Sequence, residues 1–374
     1  MNPRRIWALV RRESLEVFRD PFRLGSALVV PAVLMTVFGL GLTLDVENLS
    51  YATFDRDRTP ASRTYLEGFA HSRYFHDVGA VSSDSMLERK FATGELRFAI
   101  EIPPLFGRDL AEGRTPQAAY WIDGSMPFRA ETIRGYVQAM NLEQAMRYAR
   151  ETRGTEATFS PIDLRTRYWF NQDLQSKYAF VPGILAMVLA LSPAMLTAVA
   201  VVREKEMGSI TNLYATPIGR IEFLLGKQLP YVAISMVNFA LLTAMTIYGF
   251  GVPLKGDFFA LAFGAALYVC VTTGIGLLVS AFTRTQLAAL LISLIVTVVP
   301  SFLYSGLLTP VSSLVGGASW IARAFPATYF LDIAVGCFTK SLPARALWPS
   351  YAVLLGMMAA LLCASIALLR KQEA

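Results

Sequence analysis

Long apolar runs, separated by more polar segments, set the pattern of this chain. An α-helix needs about 20 apolar residues to cross a bilayer core of ~30 Å. The runs do not show the period-2 alternation of an outer-membrane barrel strand. Six runs reach the required length: residues 24–44, 178–202, 228–250, 258–282, 287–308 and 348–369. The pattern therefore predicts an α-helical polytopic membrane protein with six transmembrane helices.

The polar segment between the first two runs, residues 45–177, is long enough to be a domain rather than a loop. Ser85 with Glu88 is typical of a capping box that starts a helix ending at Gly94, and residues 128–150 predict a longer amphipathic helix. Strand-like runs occupy residues 49–55, 97–103 and 117–123, with a weaker one at 74–81. This alternation predicts an inserted extracytoplasmic α/β domain with a small mixed sheet.

Shorter segments flank the apolar runs. Residues 203–227 form a polar loop, residues 309–346 contain a broken apolar stretch that predicts outer re-entrant helices, and residues 370–374 form a tail. Residues 1–23 predict an amphipathic helix that lies on the inner leaflet, with arginines on the face opposite to the apolar one. The alternative is a basic tail beside the membrane. The predicted apolar face consists of Ile6, Trp7, Val10, Val17 and Phe18.

Basic residues predict the orientation of the runs. Arginines precede the first run, and further lysines and arginines follow the second, fourth and sixth runs. By the positive-inside rule both termini are cytoplasmic and the inserted domain lies outside. The chain of 374 residues is 54% hydrophobic and 17% charged, and much of the excess behind its formal charge of +6 lies beside the apolar runs, so nucleic-acid binding is not expected.

The sequence does not contain the pattern of an energy-converting or catalytic site. The string GRIEFLLGKQ at 219–228 has the wrong spacing for an ATP-binding P-loop and no hydroxyl after Lys227. The apolar runs contain no Asp, Glu or His that would serve ion coupling. His71 and His76 have no evident third ligand, so no metal site is predicted. We expect no catalytic residue and no cofactor in this chain.

Several uncharged polar residues lie inside the apolar runs. They would either line a path for a substrate or form hydrogen bonds between packed helices, and packing is the commoner role of such residues. These residues are Asn238, Thr243, Thr246, Thr272 and Ser293.

The loop after the second run carries the most informative pattern. Glu204 and Glu206 precede apolar residues at near-helical spacing, and Pro217 and Gly219 end the unit. Periodicity alone fits both a separate amphipathic helix that projects into the cytoplasm and a simple helical hairpin between two spans.

The order of residues in this loop resembles that of the ABC type-2 transporter permeases: an acid, any residue, Gly, Thr or Ser, then a Leu, a Thr-Pro and a Gly-Lys. The order of the spans and the segment 94–125 resemble the subgroup with large extracytoplasmic domains. Ser209 stands where Thr is commoner and keeps the hydroxyl. The matching residues are Glu206, Gly208, Ser209, Leu213, Thr216, Pro217, Glu222, Gly226 and Lys227.

The resemblance implies the ABC type-2 permease fold in a bacterial inner membrane. It implies a homodimer or paralogous heterodimer of permease chains, paired with cytoplasmic ATP-binding cassette ATPase subunits that hydrolyse Mg-ATP, and a periplasmic adaptor protein is a further candidate partner. The small Gly208 would permit close approach of the ATPase. A coupling helix would begin with Glu204, Glu206, Gly208 and Ser209 and would be seated on the ATPase by Leu213, Tyr214 and Pro217. Glu222, Gly226 and Lys227 would form the motif that returns the chain to the membrane.

We therefore expect the transmembrane subunit of an ATP-driven exporter. The uncharged runs favour a hydrophobic or amphiphilic substrate such as a drug, a lipid or a metabolite. One alternative is a non-transporting assembly or sensor protein whose outer domain binds a partner. An ion-coupled carrier or channel is a second alternative, which the uncharged runs disfavour.

Overall fold

The computed structural model describes residues 2–41, 49–70, 75–114, 116–124, 127–153, 175–208 and 219–368. Contacts divide the chain into two compact units. Met1–Thr43 and Tyr168–Ala374 form the first, which we call the membrane unit, and Leu44–Arg167 form the second, which we call the inserted unit.

The inserted unit contains a mixed β-sheet. Its described strands are β1 (Leu49–Asp55), β2 (Phe75–Ala80), β3 (Phe98–Ile102) and β4 (Ala119–Ile122). The strand order is β2-β1-β3-β4. β1 runs parallel to β2 and β3, with Ala52 opposite Ala99, and β4 runs antiparallel to β3, with Trp121 opposite Ala99. The predicted α/β domain with a small mixed sheet is confirmed.

Helices cover the two faces of this sheet. They are α3 (Pro60–Ala70), α4 (Asp84–Ala92), α5 (Phe106–Ala111) and α6 (Pro127–Arg153). Buried aromatic residues such as Tyr51 and Phe98 fill one face, while Phe54 and Leu87 lie in the core on the other. The predicted capping box at Ser85 and Glu88 is wrong by two residues. Ser83 has extended backbone and caps α4, because its hydroxyl accepts the N–H of Met86 at 3.3 Å.

The membrane unit consists of long apolar helices. Among the described residues, six helices are long and apolar enough to cross a membrane, as the sequence predicts. The helices of this unit are α1 (Pro3–Arg19), α2 (Pro21–Gly41), α7 (Ser176–Glu206), α8 (Arg220–Ala244), α9 (Phe258–Phe282), α10 (Gln286–Tyr304), α11 (Gly317–Ala324), α12 (Pro326–Val335) and α13 (Trp348–Leu368). A π-helical turn, Met245–Gly249, extends α8, and another, Gly336–Lys340, extends α12.

Some helices differ in length from the predicted runs. α7 continues four residues past residue 202, to Glu206, and α8 begins at Arg220 rather than at residue 228. α10 ends at Tyr304, and Gly306, with φ of +99°, turns the chain away before residue 308. α11 and α12 are bent by 70° relative to each other, so the broken stretch 309–346 contains two short helices. The extension of α7 and α8 places charged residues inside continuous helices.

α7 lies at the centre of the membrane unit and packs against α2, α8, α9, α10 and α12. Its core residues, Ile184 and Leu185 among them, are fully buried. Hydroxyls on neighbouring elements satisfy carbonyls that prolines free, since a proline has no N–H to donate within its helix. Ser192 donates to the carbonyl of Ala27, four residues before Pro31, at 3.5 Å. Thr339 donates to the carbonyl of Tyr178, four residues before Pro182, at 3.1 Å.

Candidate functional site

The last turn of α7 connects to several other helices. We call the end of the membrane unit where α7 ends and α8 begins the loop end, because residues 209–218 join the two helices there. Lys205 donates from Nζ to the carbonyl of Ser280 near the end of α9. Glu206 accepts the backbone N–H of Gln286 at 2.9 Å and also its side-chain amide, so it caps the first turn of α10. The end of α7 is therefore fixed to both α9 and α10.

Glu204 is buried at the same turn, with 3% of its surface exposed. Its Oε1 accepts from Lys227 Nζ on α8 at 2.7 Å and from Arg12 Nη2 on α1 at 2.6 Å. A buried carboxylate is costly unless it is paired and hydrogen-bonded, and these two cations supply the pairing. Glu204 thus joins α7 to α1 and α8.

A second buried carboxylate, Glu13, reaches the same lysine from α1. Lys227 donates to Glu13 Oε2, and the Tyr231 hydroxyl donates to Glu13 Oε1 at 2.5 Å. Glu13 and Lys227 are each 3% exposed. We call Glu13, Glu204, Lys227, Tyr231 and Arg12 the charge cluster. Its formal charges balance, with two carboxylates against two cations, which lowers the cost of burying them.

The carboxylates of Glu13, Glu16 and Glu204 lie close enough together to hold a metal ion, with ligand atoms within 4.8 Å of one another. The Lys227 ammonium and the Arg12 guanidinium already neutralise this group, and Arg12 binds Glu16 at 2.9 Å. The donor set therefore fits an ion-pair network better than it fits a metal site.

The predicted return motif, Glu222, Gly226 and Lys227, is the surface on which α1 docks. A Cβ on Gly226 would lie 2.6 Å from Leu9 Cβ, so only glycine allows α1 to approach α8 this closely. Glu222 accepts the backbone N–H of Asn2 at 2.6 Å and that of Gly219 at 3.1 Å. All three motif residues thus bind or accommodate the amino-terminal helix.

Gly208 ends α7 for a conformational reason. Its φ is +67°, the left-handed region that favours glycine, and its N–H bonds to the carbonyl of Lys205 at 3.2 Å. A Cβ at this position would have no neighbour within 4 Å among the described residues. The structure therefore requires a glycine here for the turn, which is a different reason from the predicted close approach of a partner.

The structure also revises the predicted start of a separate coupling helix. Glu204 and Glu206 belong to the last turn of α7, and Glu204 is a buried ion-pair partner rather than an exposed acid. The remaining residues of the predicted helix, Ser209, Leu213, Tyr214 and Pro217, lie outside the described residues.

Sequence reasoning missed Glu13, Arg12, Lys205 and Tyr231. The signal for Glu13 is present: residues 6, 10, 13 and 17 recur at i, i+4, i+7 and i+11, so an acid lies within the apolar arc of α1. A charge on an otherwise apolar helix face indicates a buried partner. The partner itself, 214 residues away in sequence, is visible only in the fold.

The five uncharged polar residues named above inside the apolar runs are all buried, but they differ in hydrogen bonding. We call the part of the membrane unit that contains them the middle. The hydroxyls of Thr246 and Thr272 donate to carbonyls of their own helices, at 2.9 and 3.1 Å. The side chains of Asn238, Thr243 and Ser293 form no hydrogen bond with any described group. Ser293 lies on a buried stripe of small residues on α10, which packs against α7.

The inserted unit contains a second candidate region, because ligands of parallel sheets bind beyond the carboxyl ends of the strands. Asp57, just after β1, occupies this place itself: it accepts from Thr59 at 2.6 Å and from the N–H of Gly107 at the start of α5 at 2.9 Å. Slight burial opposes ionisation, but these hydrogen bonds outweigh it and lower the pKa of Asp57. The polar groups of the described loops at this edge therefore form hydrogen bonds with one another.

Residues 23–367 match the family model described as "ABC-2 family transporter protein". The chain is 31% identical over 333 residues to "Probable multidrug ABC transporter permease YbhS" of Escherichia coli (strain K12), covering 88% of this chain and 87% of the relative. It is 25% identical over 372 residues to "Probable multidrug ABC transporter permease YbhR" of the same organism, covering 98% and 99%. It is 28% identical over 323 residues to "Inner membrane transport permease YhhJ", covering 85% and 84%.

These matches extend over both units and over the loop end. They confirm the resemblance to the ABC type-2 permeases that the loop residues indicate, and with the six apolar helices they make the chain a multi-pass membrane protein. The chain belongs to the ABC-2 transporter family, and it is a transmembrane subunit of an ABC transporter.

Proposed function

We propose that this chain is the permease subunit of an exporter in a bacterial inner membrane, which moves a hydrophobic or amphiphilic compound out of the cytoplasm. A separate cytoplasmic ATPase hydrolyses Mg-ATP, and a second permease chain completes the path. YbhS and YbhR are named as probable multidrug permeases, which supports this substrate class. The name of YhhJ as an inner membrane permease supports the location.

The observation that carries the proposal is the linkage at the loop end. α7 and α8 flank residues 209–218, and their ends are joined by ion pairs and hydrogen bonds to α1, α9 and α10. Any force on the loop would therefore act on several spanning helices at once. A mechanical link of this kind is what a transporter needs when hydrolysis takes place in another subunit.

We assign separate roles to the proposed coupling residues. Ser209, Leu213, Tyr214 and Pro217 contact the ATPase, whereas Glu204 and Glu206 pass its displacement to the other helices. Gly208 sets the direction in which the chain leaves α7. A periplasmic adaptor on the inserted unit is a further proposed partner of the same assembly.

The test uses this permease chain produced together with a candidate ATP-binding cassette ATPase from the same genome. ATP hydrolysis of the purified complex and ATP-dependent uptake of a hydrophobic dye into inside-out vesicles are measured. Glu206→Lys removes the acceptor of both Gln286 N–H groups at the start of α10. It should strongly reduce the stimulation of hydrolysis by dye and the uptake of dye. The variant should still insert in the membrane.

Glu88→Lys is the matched control, because it makes the same charge change at an exposed position of α4 in the inserted unit. It should leave both activities unchanged. Wild-type vesicles that take up no dye of any class would contradict export. Full activity of Glu206→Lys would instead contradict the role of the loop end.

A further inference from the structure

Helix α1 has two unlike faces. Ile6, Val10 and Val17 are half-buried or buried against the membrane unit together with Glu13. The opposite face carries two large aromatic residues that the described chain leaves uncovered: Trp7 is 67% exposed and Phe18 is 66% exposed.

This division corrects the predicted one. The predicted apolar face placed Trp7 and Phe18 with Ile6, Val10 and Val17, and it placed the arginines opposite. In the structure the exposed Arg4 and Arg11 share the outward face, because residues 4, 7, 11 and 18 recur at spacings of three, four and seven along the helix. The outward face therefore alternates cations and aromatic rings.

The position of α1 in the chain limits what can cover this face. α1 ends at Arg19, and α2 begins at Pro21, with its apolar span starting at Leu24. A helix joined so closely to a span lies at the surface of the bilayer. Aromatic residues settle at the headgroup level of that surface, and arginines bind anionic phosphates.

We propose that the outward face of α1 binds the anionic phospholipids of the leaflet at the loop end. Arg4 and Arg11 bind the phosphate groups, and Trp7 and Phe18 insert between the headgroups. The attraction between these arginines and the anionic headgroups then stabilises the position of α1 against α8. Since Glu13 of α1 pairs with Lys227, anionic lipid strengthens the charge cluster from outside the protein. The consequence for coupling rests on the proposed function, but lipid binding does not.

The first experiment needs no ATPase. Amide hydrogen exchange of α1 is measured for the full chain in nanodiscs of phosphatidylcholine alone and of phosphatidylcholine with phosphatidylglycerol. We expect slower exchange in α1 with the anionic lipid and no change in α4. Arg4→Gln/Arg11→Gln should abolish the difference, since each arginine contributes roughly fivefold to affinity for an anionic surface. Arg63→Gln/Arg89→Gln, a pair on the inserted unit, should retain it.

Two results would overturn the proposal: equal exchange of wild-type α1 in both membranes, and a lipid effect that survives in Arg4→Gln/Arg11→Gln. Glycerol phosphate added to the neutral nanodiscs separates the possible sources of the anion. Full protection by this soluble compound would show that α1 binds free anions rather than the lipid surface. High salt should weaken the lipid effect, because it screens exposed charges.

The second experiment measures coupling. ATP hydrolysis by the complex in the same nanodiscs should rise several-fold with phosphatidylglycerol for the wild type and stay flat for Arg4→Gln/Arg11→Gln. If exchange responds to lipid while hydrolysis does not, the lipid-binding face stands and the link from α1 to coupling is wrong. A complex without activity in any lipid would count against the proposed function instead.

Discussion

The loop end and the middle of the membrane unit are held together by different interactions. At the loop end, buried charged groups from α1, α7 and α8 pair with one another, as in the Lys227–Glu204 contact of 2.7 Å. In the middle, apolar side chains fill the core and glycines such as Gly276 let helices approach closely. The side chains of Asn238 and Ser293 there have no hydrogen-bond partner among the described groups. Buried ion pairs fix one geometry because breaking them is costly, whereas a polar group with no partner among the described residues loses no hydrogen bond when helices rearrange. A transporter needs a fixed end that receives force and a middle that can rearrange around its substrate.

The largest expected effect is the loss of the central cation at the loop end. Lys227→Met leaves the Glu13 and Glu204 carboxylates buried and facing each other without their shared partner. Breaking a buried ion pair from one side costs roughly 3–5 kcal/mol. The thermal unfolding midpoint in detergent should fall far more than for Lys340→Met, which removes an exposed lysine.

The charge-swapped pair Glu13→Lys/Lys227→Glu tests the same contact in another way. It keeps one cation beside Glu204 and should recover part of the lost stability. If Lys227→Met and Lys340→Met unfold at the same temperature, the charge cluster does not hold the loop end together.

The second-largest expected effect tests the close packing of helices in the middle of the membrane unit. A Cβ on Gly276 of α9 would lie 2.3 Å from the carbonyl oxygen of Ala194 on α7, and backbone cannot move aside as a side chain can. Gly276→Ala should therefore separate the two helices and cost about 1–3 kcal/mol, the usual range for overpacking. Gly356→Ala on α13, where a Cβ would have no neighbour within 4 Å, is the matched control. Equal unfolding midpoints for the two variants would contradict close backbone packing in the middle.

The third effect returns to the loop end and is smaller. Gly208→Ala forces a residue with a Cβ into the left-handed conformation, at a cost of about 1 kcal/mol. Gly208→Asn should cost less, since asparagine adopts this conformation more readily. Unfolding midpoints ordered as wild type, Asn and then Ala would confirm that backbone conformation selects the glycine. A reversed order would point to contacts made by residues beyond the described part of the loop.

The sequence predicts most of the fold because both units follow simple periodicities. Apolar runs mark the spanning helices, and alternation marks the strands, with β1 at its predicted bounds of 49–55. The ends of α7 and α8 were harder to predict, because Glu204 and Lys227 look like boundaries of a span when each is considered alone. Only their pairing makes them buried helix residues. Long-range pairs of this kind leave no periodic signal, so the contacts of Glu204 and Lys227 could not be predicted from the sequence.

The smallest effect has the opposite sign. Asn238 is 1% exposed, and neither end of its amide has a partner among the described groups. Replacing an unsatisfied buried polar group by an apolar one of similar shape is neutral or stabilising, by up to about 1 kcal/mol. Asn238→Leu should therefore raise the unfolding midpoint slightly. Thr246→Val, which removes a hydroxyl bonded to the Leu242 carbonyl at 2.9 Å, should not raise it.

A transport assay tests the role of the Asn238 amide. If it serves packing, Asn238→Leu should export dye as well as the wild type does. If the amide binds the substrate or water during transport, Asn238→Leu should export less dye than the wild type. The variant would then lack a hydrogen bond that forms only while the substrate is transported. A large fall in the midpoint would instead show that Asn238 is paired in the resting state. Asn238 would then stabilise the middle as the buried charged groups stabilise the loop end, and the contrast between the two regions would weaken.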